Sequence, residues 1–140
     1  MNLAAFAPGI FTLNQQGTGQ GAVLIAPTAV LAAAHGAGSR AVQKGEYISI
    51  FCTGLGAVSN QPATGAAAQG PPLLSNTTTK PTVTIGGVAA VVTYSGLAPG
   101  FAGLYQVNAQ VPAGAPTGGT VAVAITIGGS TSNAVTIAVK

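Results

Sequence analysis

Charge is what this chain has least of. Aspartate and glutamate together number one, lysine and arginine four, and charged residues make up 4% of the sequence, against roughly 25% in an ordinary soluble domain. General acid–base chemistry needs positioned titratable side chains. Here the sole carboxylate side chain is Glu46, the sole imidazole His35 and the sole thiol Cys52. A glycosidase built on paired carboxylates is therefore excluded from side chains alone. A Ser-His-acid triad would have to enlist Glu46, and no G-x-S-x-G elbow occurs. A Cys–His pair would require Cys52 to leave a strand interior and meet His35, whereas reactive thiols are exposed and of low pKa. Calcium usually takes more than one carboxylate and zinc three or four Cys, His or acid ligands, so no metal and no cofactor is expected, and the chain is not read as an enzyme.

Other shortages narrow the field further. Arg40, Lys44, Lys80 and Lys140 are scattered along the chain and form no basic stripe, so no nucleic-acid partner is expected. With one cysteine no disulfide can close within the chain; Cys52 reads as a buried structural thiol, an intermolecular bridge being the alternative. No apolar run reaches the ~18 residues of a membrane span. The start, MNLAAFAPGIF, lacks a basic n-region and a clear cleavage site. An exported form would then be a processed chain or a piece of a longer one.

What the sequence holds instead is turn-formers and strand-formers. Hydrophobic residues are 48%, with 21 Gly and 9 Pro, enough to build one core and to punctuate it with turns. Residues 1–8 read as an extended apolar lead-in, and 9–140 as one domain. The runs IFTLN (10–14) and GAVLI (21–25) flank QQGTGQ, which reads as a hairpin with a six-residue loop. Residues 28–34 are ambiguous between a helical turn and extended chain. EYISIFCT (46–53) alternates, with Ile48, Ile50 and Cys52 on one face and Tyr47, Ser49, Phe51 and Thr53 on the other. Residues 56–79 are a long Pro/Gly/Ala/Thr-rich connection with room for one short strand.

Gly86-Gly87 and Gly128-Gly129 each separate β-rich runs and predict two tight hairpins, over 82–94 and 121–139. Between them LYQVNAQVP (104–112) alternates, with Tyr105, Val107, Ala109 and Val111 facing inward. The motif G-x-G-x-x-A at 17–22 is followed by AVLIAPT, a strand-like run stopped by Pro27 where a dinucleotide site would open a helix, so it is read as loop. The sum is an all-β chain of about seven or eight short antiparallel strands, read as a β-sandwich rather than a barrel.

The segments GEYISIFCTGLG (45–56), TVTIGGVAAVVTYSGLAPGFAGLYQVNAQVPAGAPTG (82–118) and VAVAITIGGSTSNAVTIAV (121–139), with APGIFT (7–12) as an opening, resemble the Solibacter-type C-terminal domain, an uncharacterised module at the ends of large secreted acidobacterial proteins. The layout is also similar to IPT/TIG domains, which are immunoglobulin-like. Residues 26–44 depart from the family's Asn-rich, Pro-Gly-ending pattern. The resemblance implies an immunoglobulin-like sandwich, a location outside a bacterial cell or on its surface, and a domain-building role; it carries no catalytic residues.

The functional expectation is a structural module whose partner is a further copy of itself or a neighbouring domain. An apolar strand carrying Asn2, Leu3, Phe6, Ile10 and Phe11 is the candidate inter-subunit element, adding to a neighbour's sheet edge and building a filament. The alternatives are a passive spacer and a carbohydrate- or surface-binding module. For the latter Tyr47, Tyr94, Phe101 and Tyr105 are the available aromatics and Phe101, in APGFAG, the best placed. Asn76-Thr77-Thr78 is a formal glycosylation acceptor.

Overall fold

The computed structural model describes residues 6–26, 28, 30–34, 36, 38–63, 65–70 and 74–140. They form no helix and eleven strands: β1 (Gly9–Ile10), β2 (Val23–Ala26), β3 (Val30–Ala32), β4 (Ser39–Arg40), β5 (Tyr47–Thr53), β6 (Thr82–Ile85), β7 (Val88–Leu97), β8 (Tyr105–Gln110), β9 (Gly118–Ile127), β10 (Ser130–Thr131) and β11 (Val135–Val139). The all-β expectation holds. The count exceeds the seven or eight expected because β1, β4 and β10 are two-residue pieces, too short to leave a periodic signal. The sheet is mixed rather than wholly antiparallel: β3 and β4 run parallel, pairing Leu31 with Ser39 and Ala32 with Arg40.

Strands follow the order β10-β9-β6-β7-β8-β5-β2-β3-β4, with β1 on β5 and β11 on β9. The long strand β7 links two ladders. Its first residues pair with β6, Ala90 opposite Val83, and the remainder pairs with β8, Leu97 opposite Tyr105. The far edge of β11 is also occupied: Gly21 and Thr136 exchange a backbone bond of 2.9 Å, and Val42 bonds Ala138 at 2.9 Å.

Both Gly-Gly turns form as the alternation predicts. Ile85 faces Val88 across Gly86-Gly87, whose φ values are 61° and 83°. Two successive positive φ angles are what a type I′ turn demands, and only residues without a Cβ take them at no cost. The second hairpin closes across Gly128-Gly129 in the same way, Ile127 facing Ser130. The strand returning from it is broken at 132–134 before β11 resumes pairing with β9, Val135 opposite Val123.

Period-two alternation sorts side chains into one core. Ile48, Ile50 and Cys52 from β5, Val107 and Ala109 from β8, Val121, Val123, Ile125 and Ile127 from β9, and Val135, Ile137 and Val139 from β11 are all buried in a single cluster. Tyr105 packs against its margin and donates its hydroxyl to the Gly56 carbonyl. The long connection 56–79 contributes three isolated bridges, Val58 to Thr77, Ala68 to Pro99 and Asn76 to Gly96.

The first strand departs from expectation. Runs 10–14 and 21–25 meet in antiparallel fashion only at Thr12 and Gly21, with Leu13 donating to the Gln20 carbonyl and Ala22 to the Phe11 carbonyl, and extend into no longer hairpin ladder. They lie end to end along one edge of β5: Gly9 and Ile10 pair with Thr53 and Cys52, and Val23 to Ala26 pair with Ile50 to Tyr47. Residues 12–21 loop out between them and are pinched at the base by a bridge from Thr12 to Gly21, the form of a compact Ω-loop.

Candidate functional site

Glu46, Arg40 and Cys52 are engaged structurally. Glu46 forms a two-pronged ion pair with Arg40, at 2.8 and 2.9 Å, and accepts the Gln43 amide at 2.7 Å. The Arg40 hydrogen bond and the Gln43 amide hold the carboxyl well below its ordinary 4.5, at about 2. Cys52 is fully buried, and burial pushes its thiol up to about 12. Burial also pushes the Tyr94 and Tyr105 phenols up. Among the described residues no three His, Cys, Asp or Glu side chains gather into a metal-binding group. His35 lies outside the described residues.

The most developed surface feature is the free side of β1. Residues 7–11 follow β5 closely: Ala7 donates to the Gly54 carbonyl at 2.9 Å and Phe11 to the Phe51 carbonyl at 3.1 Å. Glycine at 54 permits this approach, since a Cβ there would stand 1.9 Å from the Ala7 oxygen. Upstream, the Phe6 ring rests over Gly128, where a Cβ would come within 2.2 Å of it.

In an antiparallel pair alternate residues point their backbone groups away from the partner. At Ile10 these outward groups meet the side chain of Asn133. Its Oδ1 accepts the Ile10 amide at 2.7 Å, and its Nδ2 donates to the Ile10 carbonyl at 3.0 Å and to the Gly17 carbonyl at 2.8 Å. One amide side chain thus does what a neighbouring strand's peptide would do, and blunts the edge.

The Ω-loop is braced by the same logic. The buried Thr12 hydroxyl donates to Asn14 Oδ1 at 2.9 Å and accepts the Gly17 amide at 3.0 Å. Gln15 is held at a φ of 62°, a conformation unusual for a residue with a long side chain. Beside this loop lies an open groove of about 590 Å³, lined by Ile10, Phe11, Gln15, Thr53 and Asn133 among others. Phe11 and the neighbouring Leu13 are 47% and 53% exposed.

The candidate inter-subunit strand is therefore seen paired within its own chain. Ile10 is buried in the core, Phe6 is half-buried against it, and Phe11 is exposed at the groove; Asn2 and Leu3 lie outside the described residues. Phe101 stands apart on its loop, 56% exposed, with its backbone bonded to Ala98 and Ala68. Asn76 is exposed, its backbone paired to Gly96 and its amide donating to Ser59 Oγ. No helix of the described residues is long and apolar enough to cross a membrane.

Asn133 was not singled out from sequence. Its only trace there is the polar tract TSN, which interrupts alternation between the last Gly-Gly turn and VTIAV. Compared with known proteins, the chain matches no family model, no curated protein and no solved structure.

Proposed function

We propose that this chain is a non-catalytic structural module from the outside of a bacterial cell, an immunoglobulin-like sandwich that joins further copies of itself by exchanging its first strand. One observation carries the reading. β1 is a short segment that shares a single edge of β5 with β2, so part of that edge is a slot filled by the start of the chain. A neighbour's residues 6–11 would fill the same slot with the same bonds, including the Asn133 clamp. Strand addition of this kind is a general mode of β-sheet association, and head-to-tail repetition of it yields an open filament. The near absence of charge leaves little repulsion between copies. Non-catalysis is supported by the engagement of Glu46 with Arg40 and by the burial of Cys52. The extracellular placement rests on the resemblance of residues 45–56, 82–118 and 121–139 to a domain of secreted proteins.

Gly9 and Thr53 are register partners, so a disulfide between Gly9→Cys and Thr53→Cys reports which chain fills the slot. Concentrated double variant, oxidised and run without reductant, should give a covalent ladder beyond the dimer, whereas Gly9→Cys alone should stop at dimer. A monomer band alone would overturn strand exchange and favour a passive spacer.

A further inference from the structure

The outward face of β5, β8 and β7 carries an uncharged array of amides and aromatic rings. The register places Tyr47, Gln110 and Val91 in one row across the three strands, then Ser49, Asn108 and Tyr94, then Phe51, Gln106 and Gly96. This face is opposite to that of Ile48, Ile50, Cys52, Val107 and Ala109, which enter the core. Strand spacings of about 4.8 Å across the sheet and about 6.8 Å per two residues along it make the amide column Gln106-Asn108-Gln110 roughly 13 Å long. Tyr47 and Phe51 flank its two ends from β5.

Tyr94 reaches this face by a local device. Between Val92 and Tyr94 the register with β8 slips by one residue, so that Thr93 and Tyr94 together oppose Asn108. Without the bulge Tyr94 would share the inward side of Val92. Bulges recur where a side chain must be re-aimed. The Tyr94 hydroxyl then donates to the Leu97 carbonyl at 2.7 Å, and at buried Gly96 a Cβ would lie 2.1 Å from the Ser75 carbonyl oxygen and 2.6 Å from that hydroxyl, so that residues 75 and 76 cover this corner of the face and leave Tyr47, Gln110 and Val91 as its open end. The ring is pinned along the sheet, half-buried.

The polar groups of the array are under-used. Gln106 Nε2 donates to Asn108 Oδ1 at 2.9 Å and Gln110 Nε2 to the Gly45 carbonyl at 3.1 Å. Gln106 Oε1, Gln110 Oε1, Asn108 Nδ2 and the Tyr47 hydroxyl have no partner among the described residues. Tyr47 and Val91, in the same row, are 42% and 65% exposed.

We propose that this face binds a neutral polysaccharide chain. Pyranose rings present an apolar C–H face that stacks on aromatic rings, edged by hydroxyls that both donate and accept. The array offers both halves of that match: ring surfaces at Tyr47, Tyr94 and Phe51, and between them unmatched acceptors and donors at amide positions. None of the nine positions in the three rows is charged, although Lys80 borders them beside Val91 and Tyr94; amides need hydrogen-bonding partners that an apolar protein surface would not supply. The carbohydrate site thus falls on the sheet and not at Phe101. The inference is independent of strand exchange, whose slot is the edge of β5 at Cys52 and Thr53.

The test is titration of the isotope-labelled protein with cellohexaose, mannohexaose and xylohexaose, with an oligogalacturonate as the anionic comparison. At least one neutral hexasaccharide should shift the side-chain amide signals of Gln106, Asn108 and Gln110. Tyr47→Ala and Gln110→Ala, both at the outer surface, should each weaken that binding roughly tenfold at unchanged melting temperature, while Phe101→Ala leaves it intact. No shift at these amides with any neutral hexasaccharide at millimolar concentration overturns the proposal. So does preference for the oligogalacturonate, or dependence on Phe101 instead.

Discussion

The two flanks of β5 are held by different means. On one side β8 runs beside it without a break, from Tyr47 opposite Gln110 to Cys52 opposite Tyr105, and Ile48, Ile50, Cys52, Val107 and Ala109 of the two strands are fully buried. On the other side the edge is shared by two short strands with a loop thrown out between them, and the outer half is finished by one side chain, Asn133. The first flank is specified many times over, since every second residue repeats the same instruction. The second rests on single residues, none of which recurs. Stability should therefore be distributed along β5·β8 and concentrated at one amide along β1, and the two flanks should fail differently.

The continuous flank should fail globally. Ile50 is fully buried among core residues from several strands, and Ile50→Ala leaves a cavity whose cost is roughly 2–5 kcal/mol. Urea unfolding should show the midpoint fall while the transition stays single and its slope unchanged. A loss confined to a subset of amides would mean that β5·β8 is not part of the common core.

The interrupted flank should fail locally. Asn133→Ala removes the partners of the Ile10 amide, the Ile10 carbonyl and the Gly17 carbonyl together, a cost on the order of 1–3 kcal/mol for groups left unsatisfied in partial burial. Hydrogen exchange should accelerate at Ile10 and around Gly17, with Ile48, Ile50 and Val107 hardly affected. Uniform acceleration across all of these would show that β1 and the centre open as one unit. If strand exchange operates, the same variant should weaken assembly, because the clamp is lost from the receiving copy as well.

How much of this was legible in the sequence follows the same division. The alternation at 46–53 and 104–111 and the two Gly-Gly turns predicted β5, β8, β6·β7 and the start of β9·β10, because each signal is local and repeated. The hairpin expected over 10–25 was drawn from two apolar runs around a polar loop. Those runs are short enough to satisfy their burial either against each other or against β5, and the choice is made more than forty residues downstream of Ile10, at Cys52 and Thr53. The parallel contact of β3 with β4 has the same cause, since two- and three-residue strands carry no period. On the outer face, strict alternation through VVTY would send Tyr94 inward with Val92; the bulge at Thr93 reverses that, and nothing in the local residue pattern announces it. Phe101, in its loop, is exposed. The array on β5, β8 and β7 emerges only once the strands are in register.

The smallest effect belongs to the margin where β4 meets the start of β5, and its sign follows from the chain's poverty in acids. The Glu46 carboxyl titrates in the folded protein at about 2, below its ordinary 4.5, with the Arg40 hydrogen bond the main cause. A group whose folded pKa is depressed stabilises above its unfolded value and loses that contribution as pH falls through the folded one. The stabilisation from this ion pair is therefore complete above about 4.5 and is lost toward about 2. Both partners are substantially solvated, with side chains 40% and 32% exposed, so the change is modest and salt-sensitive. Because Glu46 is the only acidic side chain in the sequence, no other side-chain carboxylate contributes, where most proteins lose stability to many at once. The melting temperature should be level from neutral pH to about 5, decline slightly below that, and in Glu46→Gln show no such decline. A steep acid transition that persists in Glu46→Gln would mean that a group other than this carboxylate governs the margin of β5.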